Sequence, residues 1–295
     1  MFVYSGVVLI IYNIMDFLDG KQARRLGLSS PLGQLMDHGL DCINSTFIIL
    51  NLLLLTNSMV NSLRVFVLFM VLMVGFHLAQ VEEYITHELS TVVLGIGVVE
   101  IQLLVSILFF TIFLIQKDFL EYKVNKYSVF DLVMYFIGAL LIVSFCLRNL
   151  YFFQKTIGTQ VKYLYTILPF MIISSCAFVI FFVDKKPELN LYKFFILGIV
   201  YNIASIKMIL SSISKKKLEL IHLELILICL YTVTLLFKNK QPIEELHIHM
   251  IFLGNLLCYS ATFYITNTLA IASYLGINVF LPPSKTIESK PLLNI

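Results

Sequence analysis

The chain has 295 residues, of which 59% are hydrophobic and only 13% are Asp, Glu, Lys or Arg. Soluble domains run at roughly 45–50% apolar and about 25% charged, and they cannot hide this much apolar surface from water. The low counts of Gly (13), Pro (7) and Cys (5) exclude collagen-like, disordered and disulfide-scaffold classes, and a net charge of only +3 points away from nucleic acid.

Crossing a bilayer takes about 20 apolar residues. Apolar blocks recur at 1–19, 36–55, 63–80, 90–116, 128–153, 163–183, 191–213, 218–237 and 246–279, separated by short polar connectors. The expectation is an all-α, polytopic integral membrane protein of about nine transmembrane helices. It forms a single transmembrane domain over 1–281, and Pro282-Pro283 opens a polar C-terminal tail, 282–295. Met1 to Met15 lacks a basic flank and a small-residue cleavage site, so no cleavable leader is expected. Cys42, Cys146, Cys176, Cys229 and Cys258 are odd in number, form no CxxC pair and lie in apolar segments, the pattern of buried free thiols. Lys and Arg are spread almost evenly over alternate connectors and do not set the orientation.

One stretch breaks the hydrophobic logic. Asp16-Phe-Leu-Asp19-Gly20-Lys21-Gln22-Ala23-Arg24-Arg25 is followed by Gly33-Gln-Leu-Met-Asp37-His38-Gly39-Leu40-Asp41. Asp16 and Asp19 are spaced i,i+3 and Asp37 and Asp41 i,i+4, so each pair projects from one face of a helix. Ser29-Ser30-Pro31 separates the two, with Ser30 a suitable N-cap and Pro31 a suitable first helical residue. The prediction is a helical hairpin over 16–41 with two converging carboxylate pairs at the membrane boundary. Four carboxylates in an apolar setting need cations to stay ionised, and hard oxygen donors select Mg²⁺, Mn²⁺ or Ca²⁺. Two such ions suit displacement at phosphorus. Small residues at Gly20, Ala23 and Gly33 admit a nucleotide close to the backbone, and Arg24 and Arg25 offer planar donor forks to phosphate.

The order Asp16, Asp19, Gly20, Ala23, Arg24, an eight-residue gap, then Gly33, Asp37 and Asp41 resembles the signature of the CDP-alcohol phosphotransferase family. The flanking GKQARR and SSPLGQLMDHGLD resemble its eukaryotic choline/ethanolamine phosphotransferase branch. Glu82-Glu83-Tyr84-Ile85-Thr86-His87, Glu100 with Gln102, Leu168-Pro169-Phe170 and Leu275-Gly276-Ile277 resemble that branch as well. The resemblance implies transfer of phosphocholine or phosphoethanolamine from CDP-choline or CDP-ethanolamine to diacylglycerol, with release of CMP. It implies that Asp16, Asp19, Asp37 and Asp41 hold two Mg²⁺ or Mn²⁺ ions and that Gly20, Ala23, Arg24 and Gly33 line the CDP site. His38 matches the residue proposed as proton acceptor, with Asp41 as the fallback base; an imidazole pKa of about 6.5 suits that task. It further implies an endoplasmic reticulum or Golgi membrane, a hairpin facing the cytoplasm and a homodimer. Members of the branch usually carry a helix before the one that bears Asp16, with an Asn that helps bind the nucleotide. The expected architecture is therefore that ten-helix bundle without its first helix.

Other residues fit plain structural roles as well. His77 and His87 lie near the expected site, with packing or solvation the commoner use of such residues. His222, His247 and His249 read as interfacial, and Glu100 reads equally as a site or a packing residue. Lys215-Lys216-Lys217 most simply anchors a helix end at anionic headgroups. The many Phe and Tyr residues read as lipid-facing surface. A catalytically silent scaffold of the same family is the alternative; a transporter lacks an inverted repeat and a second acidic cluster.

Overall fold

The computed structural model describes residues 2–56, 62–86, 160–183, 186–219, 222–237 and 242–277, together with short stretches and single positions between 92 and 143 and residue 279. Among them run seven α-helices: α1 (Phe2–Leu26), α2 (Pro31–Thr56), α3 (Ser62–Thr86), α4 (Gln160–Val183), α5 (Asn190–Ser214), α6 (Leu223–Leu236) and α7 (Pro242–Leu275). A 3₁₀ turn, Pro187–Leu189, leads into α5. Two-residue antiparallel ladders, Val92–Val93 with Ile96–Gly97 and Lys123–Val124 with Tyr127–Ser128, close local turns. The protein is all-α. Most of the blocks at 90–116 and 128–153, His87, Glu100, Cys146 and the 282–295 tail lie outside the described residues.

Five of these helices, α1, α3, α4, α5 and α7, carry segments long and apolar enough to cross a membrane. A helix of 25 residues rises about 37 Å, more than the ~30 Å hydrocarbon thickness. Large apolar side chains face outward along them, such as Ile11 and Met15 of α1, Met171 of α4 and Ile251 of α7. In water that surface would drive aggregation; in lipid it is at home. The protein is an integral membrane protein.

α5 forms the centre and touches α2, α3, α4, α6 and α7. In its most apolar 18-residue window 78% of residues are buried, against 11% for α7. Its contact with α2 is very close. A Cβ placed on Gly198 would lie 2.3 Å from Thr46 Cγ2, so only glycine admits this approach. Beside it, the Asn202 amide nitrogen donates to the Cys42 and Gly198 carbonyls at 3.0 and 3.2 Å and its oxygen accepts from Thr46 Oγ1 at 3.2 Å. Gly39 of α2 similarly receives the Tyr264 ring of α7.

The described Phe and Tyr residues divide between the surface, as at Phe17, Phe47 and Phe178, and the core. Phe66 stacks on Phe181 at 4.4 Å, and Phe69, Phe170, Phe194 and Tyr201 interlock at centroid distances of 4.9 to 6.1 Å. These rings fill the space between α3, α4 and α5, because aromatic contact supplies cohesion where lipid removes the hydrophobic drive. His249 is also inside, between Tyr192 and Tyr231, whereas His247 is exposed. Of the thiols, Cys42 is buried, Cys176 and Cys229 are half-buried and Cys258 is exposed; all four are free.

The helices alternate in direction. The turn at 27–30, the end of α3, the start of α4, the 215–222 connector and the end of α7 therefore gather at one membrane face. There Leu32 and Leu35 pack with Ile206, Ile209, Ile271 and Ala272, while Val81 and Tyr84 pack with Met208 and Leu218. The α2–α5 contact gives a direct test. Gly198→Ala should cost about 1–3 kcal/mol by overpacking, read as a lowered melting temperature of the purified protein in detergent by circular dichroism. Gly75→Ala, where an added Cβ meets nothing within 4 Å, is the matched control and should melt like wild type. Equal melting of the two variants would contradict the close approach.

Candidate active site

The hairpin at that face is built by local chemistry. α1 ends at Gly27, whose φ of 66° lets the Leu28 N–H reach back to the Ala23 carbonyl at 2.9 Å. Two residues later Ser30 caps α2: its hydroxyl accepts from the Gly33 N–H at 3.1 Å, and Pro31 takes the first helical position. The cap and the Pro stand where the sequence placed them. The first helix runs past its apolar span to Leu26, so Asp16, Asp19, Ala23 and Arg24 share one continuous helix.

Antiparallel return brings the carboxylates together. One oxygen from each of Asp16, Asp19 and Asp37 lies within 4.8 Å of the others. Asp41, one turn beyond Asp37, stands outside this trio, and its Oδ1 accepts a 2.7 Å hydrogen bond from the Tyr12 hydroxyl. Tyr12, Asp16 and Asp19 form one stripe on α1; Asp37, Asp41 and Ser45 form the facing stripe on α2, where Ser45 donates to the Asp41 carbonyl at 2.8 Å. The donor set passes a chemical test for a divalent cation. Three anionic oxygens crowd one partly exposed spot, with no Lys or Arg ion pair to them among the described residues, and hard cations prefer all-oxygen ligands.

His38 is mostly buried beside this trio. Its Nε2 lies 4.0 Å from Asp37 Oδ2 and its Nδ1 lies 3.6 Å from Glu83 Oε2 of α3. Glu83 is 6% exposed, and its other oxygen accepts a very short hydrogen bond from Gln34 of α2. Among the described residues neither His38 Nδ1 nor Glu83 Oε2 has a hydrogen-bond partner, and the two approach each other at 3.6 Å. The imidazole thus presents one nitrogen to the acidic trio and is backed on the other by a buried carboxylate.

The small residues do different things. Gly20 sits against the Arg24 guanidinium, where an added Cβ would stand 3.4 Å from one nitrogen. Gly33 is exposed and gives its N–H to Ser30. Ala23 is half-buried and Arg24 is exposed, both one to two turns beyond Asp19 toward the turn. His77 is a packing residue: it stacks on Phe170 at 4.0 Å and meets the Ser205 hydroxyl at 3.1 Å. Sequence reasoning gave no role to Tyr12 or Gln34 and quoted Glu83 only within a resembling segment. The available signals were the i,i+4 spacing of Tyr12 to Asp16 and two acids in a row ending an apolar helix.

An α-helical membrane protein with a carboxylate cluster of divalent-metal type, set in a hairpin at one membrane face, is the class these features define. Residues 1–146 match the family model described as CDP-alcohol phosphatidyltransferase. It is 45% identical over 89 residues to a class-I family protein of Dictyostelium discoideum, a match covering 30% of this chain and 22% of that protein. It is 30% identical over 123 residues to cholinephosphotransferase 1 of Xenopus laevis, covering 42% of this chain and 30% of the relative. It is 52% identical over 42 residues to choline/ethanolaminephosphotransferase 1 of Arabidopsis thaliana, covering 14% and 11%. The chain thus aligns with 11% to 30% of the length of these relatives.

The carboxylate crowding is testable without turnover. In chelator, Asp37→Asn should raise the melting temperature by ~2–4 °C by relieving like-charge repulsion. Added Mn²⁺ should stabilise wild type and leave this variant unchanged. A wild type whose melting ignores Mn²⁺ would sink the metal-centre reading.

Proposed function

We propose that this protein transfers phosphocholine or phosphoethanolamine from its CDP derivative to diacylglycerol, giving the phospholipid and CMP. The observation that carries the reading is the oxygen trio of Asp16, Asp19 and Asp37 with His38 directed at it, within residues 1–146 that match the CDP-alcohol phosphatidyltransferase family model.

Asp16, Asp19 and Asp37 would hold Mg²⁺ or Mn²⁺, with Asp41 completing a site for two ions. Bound there, such ions neutralise the diphosphate and stabilise the departing CMP oxygen. The chain's own residues supply the rest. Tyr12 fixes the Asp41 carboxylate, so that stripe of α2 keeps one rotamer facing α1. Arg24, poised over Gly20, reaches from the same helix toward the phosphates or the cytidine side. His38 Nε2 takes the proton of the attacking hydroxyl as the new O–P bond forms and the P–O bond to CMP breaks. Glu83 stabilises the imidazolium this creates, and Gln34 holds Glu83 in place, an arrangement like the carboxylate-backed histidines of other enzymes. We place the hairpin on the cytoplasmic face of an endoplasmic reticulum or Golgi membrane, where CDP-alcohols are available, with the lipid acceptor entering from the bilayer. The single transmembrane domain and a homodimeric assembly belong to the same proposal.

The deciding assay is transfer from labelled CDP-choline and CDP-ethanolamine to diacylglycerol in membranes containing the protein, with Mg²⁺ or Mn²⁺. Wild type should form phospholipid and Asp37→Ala none. His38→Ala should lower the rate ~10²–10⁴-fold and flatten the pH dependence near neutrality. Glu83→Gln should cost roughly 10–100-fold while leaving the Mn²⁺-dependent melting shift in place. No product from folded wild-type protein would favour the silent-scaffold alternative.

A further inference from the structure

A second pocket opens at the same membrane face, away from the acidic hairpin. It lies between the end of α5, the 215–222 connector and α7, and its volume is about 340 Å³. Lys207, Lys216 and Lys217 line it with Ser211, Phe263 and Ile271. Glu219 is the one acid among its lining residues, and His222 and Asn267 add polar groups.

Its two ends differ in character. Lys216 and Lys217 are exposed at the mouth, following Lys215, whose φ of 54° ends α5. Lys207 stands deeper, about two turns back along α5. There its ammonium is held at 2.7 Å by Glu224 Oε2 and lies 5.3 Å from the Phe263 ring centre. A lysine within a membrane helix needs such support, and with Glu224 paired to Lys207 the two outer lysines make no ion pair among the described residues. Apolar walls from Leu210, Ile213 and Ile271 run beside this charge. Leu223 and Ile226 at the same end of α6 are about half exposed, which puts the rim against lipid. The connector is not a loose basic tail. The Leu218 N–H donates to the Tyr84 hydroxyl at 3.2 Å, and that hydroxyl donates to the Lys216 carbonyl at 3.3 Å, pinning the lysines to α3.

We propose that this pocket binds the phosphate of an anionic lipid headgroup, with Lys216 and Lys217 contacting the phosphate, Ser211 and Asn267 its oxygens or the glycerol, and the apolar wall the first methylenes of a chain. The shared chemistry is a tetrahedral phosphate anion, and a soluble phosphate is the other possible source. The proposal is independent of the transfer reaction, because none of these residues belongs to the acidic hairpin.

The test is lipid retention by the full-length protein in detergent, read by native mass spectrometry with phosphatidic acid, phosphatidylcholine or inorganic phosphate added. Wild type should retain phosphatidic acid in preference to phosphatidylcholine. Lys216→Ala with Lys217→Ala should weaken retention by about tenfold or more, and Lys216→Arg with Lys217→Arg should restore it. Ser211→Leu, which fills the cavity and keeps all three lysines, should abolish retention; retention surviving in it would reduce the effect to surface attraction and overturn the pocket. Equal retention by wild type and the double alanine variant, or loss in the arginine variant as deep as in the alanine one, would also overturn it. Displacement of phosphatidic acid by an equal concentration of inorganic phosphate would assign the site to soluble phosphate; resistance to it would assign the site to lipid.

Discussion

The contact between α2 and α5 governs the rest of the protein. In a bilayer, burying apolar side chains between helices gains little, since lipid tails are as apolar as leucine. Cohesion has to come from close backbone approach and from polar groups with no alternative partner. Gly198 supplies the first and Asn202, gripping the Cys42 and Gly198 carbonyls, supplies the second. Cys42 and Thr46 therefore face α5. Asp41 and Ser45, each one residue earlier, are turned about 100° away and with Asp37 face α1. A contact with no chemical role thus aims the carboxylates.

The acidic cluster shows why a hairpin suits this chemistry. Neither helix alone can concentrate three acids at one point, because i,i+3 and i,i+4 neighbours are about 5–6 Å apart at their Cβ atoms. Two antiparallel helices joined by a four-residue turn bring a pair from one and a single acid from the other within a cation's reach. The cost is mutual repulsion, which the partly open position and the Tyr12 clamp on Asp41 moderate. His38 sits one position after Asp37 and therefore points off the acidic stripe, toward α3. Glu83 meets it there.

The parts of this arrangement that depend on neighbours in sequence were legible before any coordinates. The spacings of Asp16, Asp19, Asp37 and Asp41 announce two acidic faces, and Ser30 with Pro31 announces the helix start. What was not legible depends on distant contacts. Nothing local in Glu83 says that it will meet a histidine 45 positions away, and Asn202 in an apolar run gives no sign of its partners on α2. The division of the aromatic residues was illegible for the same reason: composition counts Phe66, Phe170 and Phe181 with the exposed Phe17 and Phe178, and only packing separates them. His249 read as interfacial because it lies near a helix start, yet α7 begins early enough to carry it inside, against Tyr231.

Glu83 and Tyr84 are consecutive on α3 and point about 100° apart, one to His38 and the other to the lysine-bearing connector. This pair sets the register of the helix. Sliding α3 by one residue would move it ~1.5 Å along its axis and rotate it by a residue's turn. Tyr84 would then stand where Glu83 faces His38, and Ile85 would meet the connector with no hydroxyl to offer. Both contacts fail together under that slip, so α3 has one seating in which either can form.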